Sequence, residues 1–255
     1  LRAGGRIAWR SREARLGGGG YFTARRLLDF GHHVRILSNL MSDSHGQEAI
    51  AALAEDGFDT SLITQRQGET DFADILLDPT GERTILSNER RLARTFALAQ
   101  PVSADAFYIN GPHLCETIRQ SLNAAPLVVS QLPLRDGEPR PADVIVGSKA
   151  DMPGKSIEAI WRDAQAIAGT RLRHLVMTDG PDPTSVFDGE TESSIPVPMH
   201  VTVRDTIGAG DTFSGALING LLNGAKITEA ALDASRSTAE WLLNREAMFA
   251  EKSNK

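Results

Sequence analysis

Along this chain, short apolar runs alternate with stretches in which apolar residues recur at three- and four-residue spacing, and the two periods predict strands and helices in turn. Gly20 to Phe30 reads as a helix stopped by Gly31 and followed by a strand over Val34-Arg35-Ile36-Leu37. Gln47 to Glu55 predicts a second helix, ending near Gly57. Strand-like runs follow at Ala106 to Ile109, Leu127 to Ser130, Val144 to Val146 and His174 to Met177. Val201 and Val203 predict one more short strand, and Phe213, Ala216, Leu217 and Leu221 recur as on a helix from Thr212 to Leu222. Such alternation predicts an α/β fold with a mainly parallel sheet, helices on both faces and right-handed crossovers. Between Asp71 and Thr84 the alternating pattern around Pro79-Thr80-Gly81 predicts a hairpin.

Composition narrows this only a little. The 255 residues, 41% hydrophobic, suffice for a full core in one large domain, with no internal repeat or obvious linker. No apolar run reaches bilayer length and the start shows no signal-peptide pattern, so no membrane partner and a cytoplasmic location are expected. The single cysteine, Cys115, reads as a small buried hydrophobe rather than a nucleophile. A net charge of −6 argues against nucleic acid as a partner. The charge is uneven, because residues 1–35 hold eight arginines against Glu13 and Asp29. The six histidines show no metal-ligand spacing.

Candidate chemistry concentrates in Asp205-Thr206-Ile207-Gly208-Ala209-Gly210-Asp211, two glycines and a carboxylate at the start of a predicted helix. Glycines there let backbone N–H groups turn toward a ligand, at a helix end whose dipole favours negative charge. Asp211, in the first turn, is then placed to take a proton from an attacking hydroxyl; capping the helix is its plainer role. Gly215 and Gly220 inside the helix suggest close backbone packing. The stretch DTIGAGDTFSGALINGLL closely resembles the C-terminal signature of the ribokinase-like (PfkB) carbohydrate kinases. The resemblance implies that Gly208, Ala209 and Gly210 form an anion hole and that Asp211 is the catalytic base.

Gly17-Gly18-Gly19-Gly20 gives up side-chain packing, which suggests close approach of a ligand or another backbone, or a simple turn. It resembles the family's sugar-binding glycine loop, which assigns Gly17 and Gly18 to substrate. The position where the family carries a sugar-contacting Asn is here Phe22, which cannot hydrogen-bond a hydroxyl. The run Pro141 to Asp151 resembles the segment where the family has Asn-x-x-Glu for nucleotide phosphate and Mg²⁺; here Ser148 and Asp151 stand in those places, with a plain helix cap as the other reading of Ser148. HLVMTDGPDPTSVF resembles the nucleotide-binding strand and turn, which assigns Thr178 and Gly180 to the nucleotide. Ala231 to Leu243 resembles the helix beside the base, where Ser235 takes a place that is often Asn.

These features predict a single ribokinase-like domain over residues 1–255, with a small β-sheet lid formed by residues 1–16 and 70–88. Family members open with a strand carrying a sugar-gripping Asp, which Leu1-Arg2-Ala3-Gly4 does not supply, so an incomplete chain is expected. The expected activity is transfer of phosphate from ATP, with Mg²⁺, to the hydroxyl of a small sugar-like substrate. A degenerate kinase fold that binds nucleotide or sugar without turnover is the alternative, favoured by Phe22 and by Ser148 with Asp151. A dehydrogenase is a distant third, because Gly17 to Gly20 lacks the spacing of a dinucleotide fingerprint. A homodimer through the lid is a further expectation. Arg10, Arg12 and Arg15 alternate or nearly so, and on a lid strand two of them could face an acidic or phosphorylated substrate; the plainer reading is that they solvate the outer face of the lid.

Overall fold

A computed structural model of the chain describes residues 5, 6, 8, 9, 12–77, 83–132, 138–203 and 205–253. Its centre is a six-stranded sheet. Strands β6 (Ala106–Ile109), β8 (Leu127–Gln131), β9 (Val144–Ser148) and β10 (His174–Asp179) run parallel, and β11 (Asp182–Phe187) and β12 (Glu192–Ile195) continue the sheet antiparallel, in the order β12-β11-β10-β9-β8-β6. The central strands are almost purely apolar because both faces are covered: Val128, Val129, Ile145, Leu175, Val176 and Met177 are fully buried. Neighbouring residues on a strand point to opposite faces. Val128, Ile145 and Met177 therefore join one cluster with Leu122 of α3 (Glu116–Ala124) and Ile160 of α4 (Ile157–Ala168). Val129, Val146 and Val176 join another with Phe213 and Leu217 of α5 (Ala209–Leu222) and Ala230 and Ala234 of α6 (Ile227–Ser253). Among the described residues no helix is long and apolar enough to cross a membrane.

Smaller pieces stand beside this sheet. Helices α1 (Gly19–Asp29) and α2 (Ser44–Glu55) share a satellite core of Ala24, Leu53 and Phe58, and β1 (Ser38–Met41) pairs in parallel with β2 (Ile63–Arg66). Strand β1 begins later than the expected Val34–Leu37 strand. Val34 and Ile36 do pack into the satellite core, but the backbone there makes only an isolated bridge between Arg35 and Asp59. The expected strand at Val201 and Val203 is also absent from the fold; residues 201–203 have no ladder partner, so α5 is entered from a turn. The short strands β5 (Thr95–Phe96) and β7 (His113–Leu114) pair in parallel beside the end of β6.

The hairpin forms as expected, from β3 (Ala73–Leu77) and β4 (Arg83–Ser87) with Ile75 opposite Ile85; its turn at Pro79-Thr80-Gly81 lies outside the described residues. Of the other half of the expected lid, residues 1–4, 7, 10 and 11 lie outside the described residues. Among the described residues of the segment 1–16 there is no strand, and its visible tie to the hairpin is an exposed ion pair of Arg12 with Asp74 at 3.8 Å. Pro183, which has no N–H for a ladder, sits where the register of β10 and β11 slips by one residue, so Pro183 and Thr184 together face Thr178.

Helix α5 lies against α1 because Gly215 removes the side chain at their crossing. A β-carbon there would stand 2.8 Å from the carbonyl oxygen of Thr23 and 2.8 Å from Cβ of Arg26. Gly215→Ala should therefore separate the helices, losing about 1–3 kcal/mol to overpacking and regaining about 1 kcal/mol from helix propensity. Urea unfolding should show a lower midpoint; a gain of the full propensity term would mean that the crossing is not tight.

Candidate active site

The turn into α5 is shaped by a buried carboxylate. Asp205 is 3% exposed; its Oδ1 accepts the N–H of Ile207 at 2.9 Å, and its Oδ2 accepts from Arg15 at 3.1 Å and from Arg245 of α6. Arg245 also donates to the carbonyl oxygen of Ile207 and lies over the ring of Trp241. Ala209 N–H closes the turn onto Thr206 at 3.1 Å. Gly208 then caps the helix with φ +83°, a left-handed conformation that glycine adopts without strain, and a β-carbon there would stand 2.6 Å from the ring of Phe22. At Gly210 an added β-carbon meets nothing within 4 Å. The first-turn N–H groups of a helix have no intrahelical acceptors, so this end of α5 offers donors to an anion.

Asp211 lies at that end and gathers residues from three distant parts of the chain. Its Oδ1 is 3.5 Å from the hydroxyl of Tyr108 on β6 and 3.5 Å from Nδ2 of Asn110, just past the end of that strand. Its backbone oxygen accepts from Thr23 of α1 at 2.9 Å. The glycine loop closes over it: a β-carbon on Gly19 would overlap Asn110 Nδ2 at 1.9 Å and Asp211 Oδ1 at 2.4 Å. Burial pushes the Asp211 carboxyl up to about 6, against the Tyr108 hydroxyl and the charge of Arg83, which both favour the ionised form. Arg83 belongs to β4, so the hairpin brings a cation toward Asp211.

The glycine loop thus reaches the base through Gly19, while Gly17 and Gly18 lie beside it with open space where side chains would be. Phe22 is turned away from hydrogen-bonding chemistry; its ring packs on Gly208, edge-on to Trp241 at 6.4 Å. Neither Tyr108 nor Asn110 was singled out by sequence pattern. The available signal was their place at the carboxyl end of a parallel strand, where ligands of such sheets bind.

Ser148 and Thr178 form a second group at that same end of the sheet, directly paired across β9 and β10. Thr178 Oγ1 donates to the Gly147 carbonyl oxygen at 3.2 Å, and Gly180 makes the turn into β11 with φ +56°. Ser148 takes the N-cap position of the 3₁₀ turn Lys149–Asp151, as its plainer reading has it, but its side chain makes no capping hydrogen bond. Lys149 pairs with Asp179 at 3.5 Å. Asp151 ends the single 3₁₀ turn after β9 and is exposed; among the described residues no three potential metal ligands gather around it or anywhere else. Ser235 is buried, with its hydroxyl donating to Ala231 within α6 at 3.0 Å. Of the arginines expected to face a substrate, Arg15 pairs with Asp205, the exposed Arg12 pairs with Asp74, and Arg10 lies outside the described residues.

Residues 142–252 match the model of the pfkB family carbohydrate kinases. No curated protein sequence matches the chain. Among solved structures, the fold is similar to ribokinase from Giardia lamblia, with TM-score 0.73 and 18% identity over 94% of this chain and 87% of that one. It is also similar to Arabidopsis thaliana ribokinase complexed with ribose and ATP, with TM-score 0.67 and 18% identity over 93% and 85%. A third likeness is to 2-dehydro-3-deoxygluconokinase from Thermotoga maritima, with TM-score 0.66 and 17% identity over 89% and 84%.

The raised Asp211 carboxyl has a consequence for stability. Folding takes this group from an ordinary value of 3.8 to about 6, so ionising it costs the folded state about 1–3 kcal/mol above pH 6, and nothing below the unfolded value. Asp211→Asn should therefore melt at a higher temperature than the wild type at pH 8, with the difference shrinking as pH falls from 6 to 4. An equal or larger gain at pH 4 in a thermal scan would show that burial is not what perturbs Asp211.

Proposed function

We propose that this chain, a ribokinase-like member of the pfkB family of carbohydrate kinases, transfers the terminal phosphoryl group of ATP to a hydroxyl of a small sugar-like substrate. The observation that carries the reading is a carboxyl group raised to about 6, at the start of a helix and directly under a glycine loop. A general base is most effective when its affinity for protons lies near the working pH. Asp211 takes the proton of the attacking hydroxyl. The backbone N–H groups of Gly208 and Gly210 stabilise charge on the transferring group, and that of Ala209 joins them if it leaves Thr206. The substrate lies against Gly17, Gly18 and Gly19.

ATP extends along the carboxyl ends of β9 and β10, with Ser148, Thr178 and Gly180 toward its phosphates and Ser235 on the helix beyond. Because the Ser235 hydroxyl is spent on the Ala231 carbonyl, its part is packing rather than hydrogen bonding. These strand ends offer Mg²⁺ few protein oxygens, since Asp179 is paired with Lys149, but the ion takes few protein ligands when phosphates supply the others. Asp151 would hold it, directly or through water. When bound, the ion neutralises phosphate charge.

The hairpin is the lid. Ile75, Leu77, Ile85 and Arg83 share one face, all exposed, and the charge of Arg83 is felt by Asp211, which supports that face as the inner one. Closing it over a substrate would bury the apolar side chains and bring the guanidinium to the phosphoryl end. A homodimer through the lid would use the opposite face, where Leu76 and Leu86 stand beside Asp74 and Thr84.

Asp211→Asn should lower turnover by about 10²-fold or more with nucleotide affinity within a few-fold, in a screen over sugars, sugar acids and nucleosides with isothermal titration of ATP. ATP binding without turnover of any substrate by the wild type would instead favour the non-catalytic binding protein.

Gly210→Ala separates fold from chemistry. Its methyl meets no protein atom, so thermal stability should hold while kcat falls; unchanged kinetics at saturating ATP would leave Gly210 a turn residue only.

A further inference from the structure

One hydroxyl beside the proposed base lies between two acceptors. Tyr108 Oη is 3.5 Å from Asp211 Oδ1 and 3.3 Å from Oε1 of Gln131, the last residue of β8. A phenol has one proton, so it serves one of these oxygens at a time. Both distances exceed the usual 2.7–2.8 Å of an O–H···O bond, as expected for a donor that neither acceptor holds alone. Burial and the Asp211 charge raise the phenol well above its ordinary value, so it stays protonated through the working range.

The other groups facing the pair are accounted for. Asn110 offers a fixed N–H donor to the same carboxylate oxygen. Thr23 and Ser214 lie beside the phenol, with their own protons given to the backbone oxygens of Asp211 and Gly210. Arg83 is the cation whose charge reaches Asp211. Of the acceptors around Tyr108, only Asp211 carries charge.

We propose that Tyr108 is a positioning residue whose hydroxyl turns between Asp211 and Gln131, so that the base is hydrogen-bonded both before and after it takes a proton. With Asp211 ionised, Tyr108 donates to Oδ1. When the carboxylate has accepted the substrate proton, its new O–H donates to Tyr108 Oη, and the phenol proton turns to Gln131 Oε1. No proton leaves the pair in this exchange. Asp211 gains one proton from the substrate and Tyr108 keeps its own. The geometry explains why a strand otherwise filled with core residues ends in a tyrosine and an asparagine aimed at α5.

The inference rests on Asp211 being a titrating base, and its test is read without turnover. The Asp211 carboxyl can be followed by ¹³C NMR in protein labelled at aspartate, with its signal assigned by loss in Asp211→Asn. Tyr108→Phe removes the donor to the ionised form and should raise the midpoint by about half to one pH unit. Gln131→Met keeps the bulk, removes the amide acceptor and should lower the midpoint, because Asp211 is then the only charged acceptor and competes only with the Thr23 and Ser214 oxygens. The double variant should titrate like Tyr108→Phe alone. In steady-state assays with a substrate found by the screen, the acid limb of kcat/KM should move in the same directions, with KM within about threefold and kcat of Tyr108→Phe down about tenfold.

Opposite shifts in the two single variants establish the switch even if no kinase substrate is found. A wild-type midpoint in Tyr108→Phe, or shifts of the same sign in both variants, overturns it. That failure would be distinct from failure of the kinase reading, which is Asp211→Asn with undiminished turnover. Thermal melts show whether each variant is folded before it is titrated.

Discussion

A single buried carboxylate holds the end of the site together. Asp205 accepts from a residue before the glycine loop, from the last helix and from the backbone two residues ahead, so three separate parts of the chain are fixed to one another through two oxygens. Two guanidinium groups fully meet the charge of the one carboxylate, with the excess positive charge on the partly exposed Arg15, while removing one member of such a buried set typically leaves about 3–5 kcal/mol of uncompensated cost. Everything that makes the turn into α5 useful depends on it: the open backbone of Gly208, the exposed first-turn donors, and the direction in which Asp211 leaves the helix. The interaction also gives Arg15, near the start of the chain, a place in the fold: it neutralises an acid of the protein itself.

Asp211 shows how a modest set of neighbours poises a group. Burial alone favours the neutral form. Tyr108, Asn110 and the Arg83 charge favour the ionised form but do not fully offset burial. The balance leaves the carboxyl close to neutrality instead of firmly ionised, which is the condition under which it can both take and release a proton in one cycle. Thr23 contributes without touching the carboxyl; by holding the backbone oxygen of Asp211 it ties the first turn of α5 to α1 and so to the glycine loop.

The parallel core of the fold was legible in the chain because period and burial agree there. The expected strands from Ala106 to Met177 appear within two residues of their expected ends, since strands covered on both faces must be apolar throughout. The glycine-rich motif was equally legible. Conformational need is written directly into residue type at Gly208, though not at Gly210, whose dihedral angles any residue adopts. Two kinds of feature could not be read. The strand at Val34 to Leu37 has the right alternation, yet its residues pack into a helix pair and not into a ladder, and Val201 with Val203 has the pattern without a partner strand. Alternation reports burial, not pairing. The partners of Asp211 were hidden for a different reason: Tyr108 and Asn110 meet it from about a hundred residues away, and nothing local in Ala106 to Ile109 distinguishes a strand that ends at a site from one that ends in solvent.

The same separations bear on how the molecule assembles. Asp211 meets Thr23 across 188 residues and Tyr108 across 103, and Asp205 meets Arg15 across 190. Contacts between such remote positions form only after the intervening chain has been ordered, because closing a long loop costs entropy before the contact returns anything. The sheet and its flanking helices can therefore be complete, with Asp211 beside Tyr108, before α1 and the glycine loop close over it. For the same reason, local opening of α1 alone, with the core intact, would take the glycine loop away from Asp211 and return the carboxyl to water. Proton affinity at this position is then a reporter of folding: an aspartate near 6 signifies a closed N-terminal helix, and one with an ordinary value signifies a molecule that is folded but unassembled at the one place where chemistry can occur.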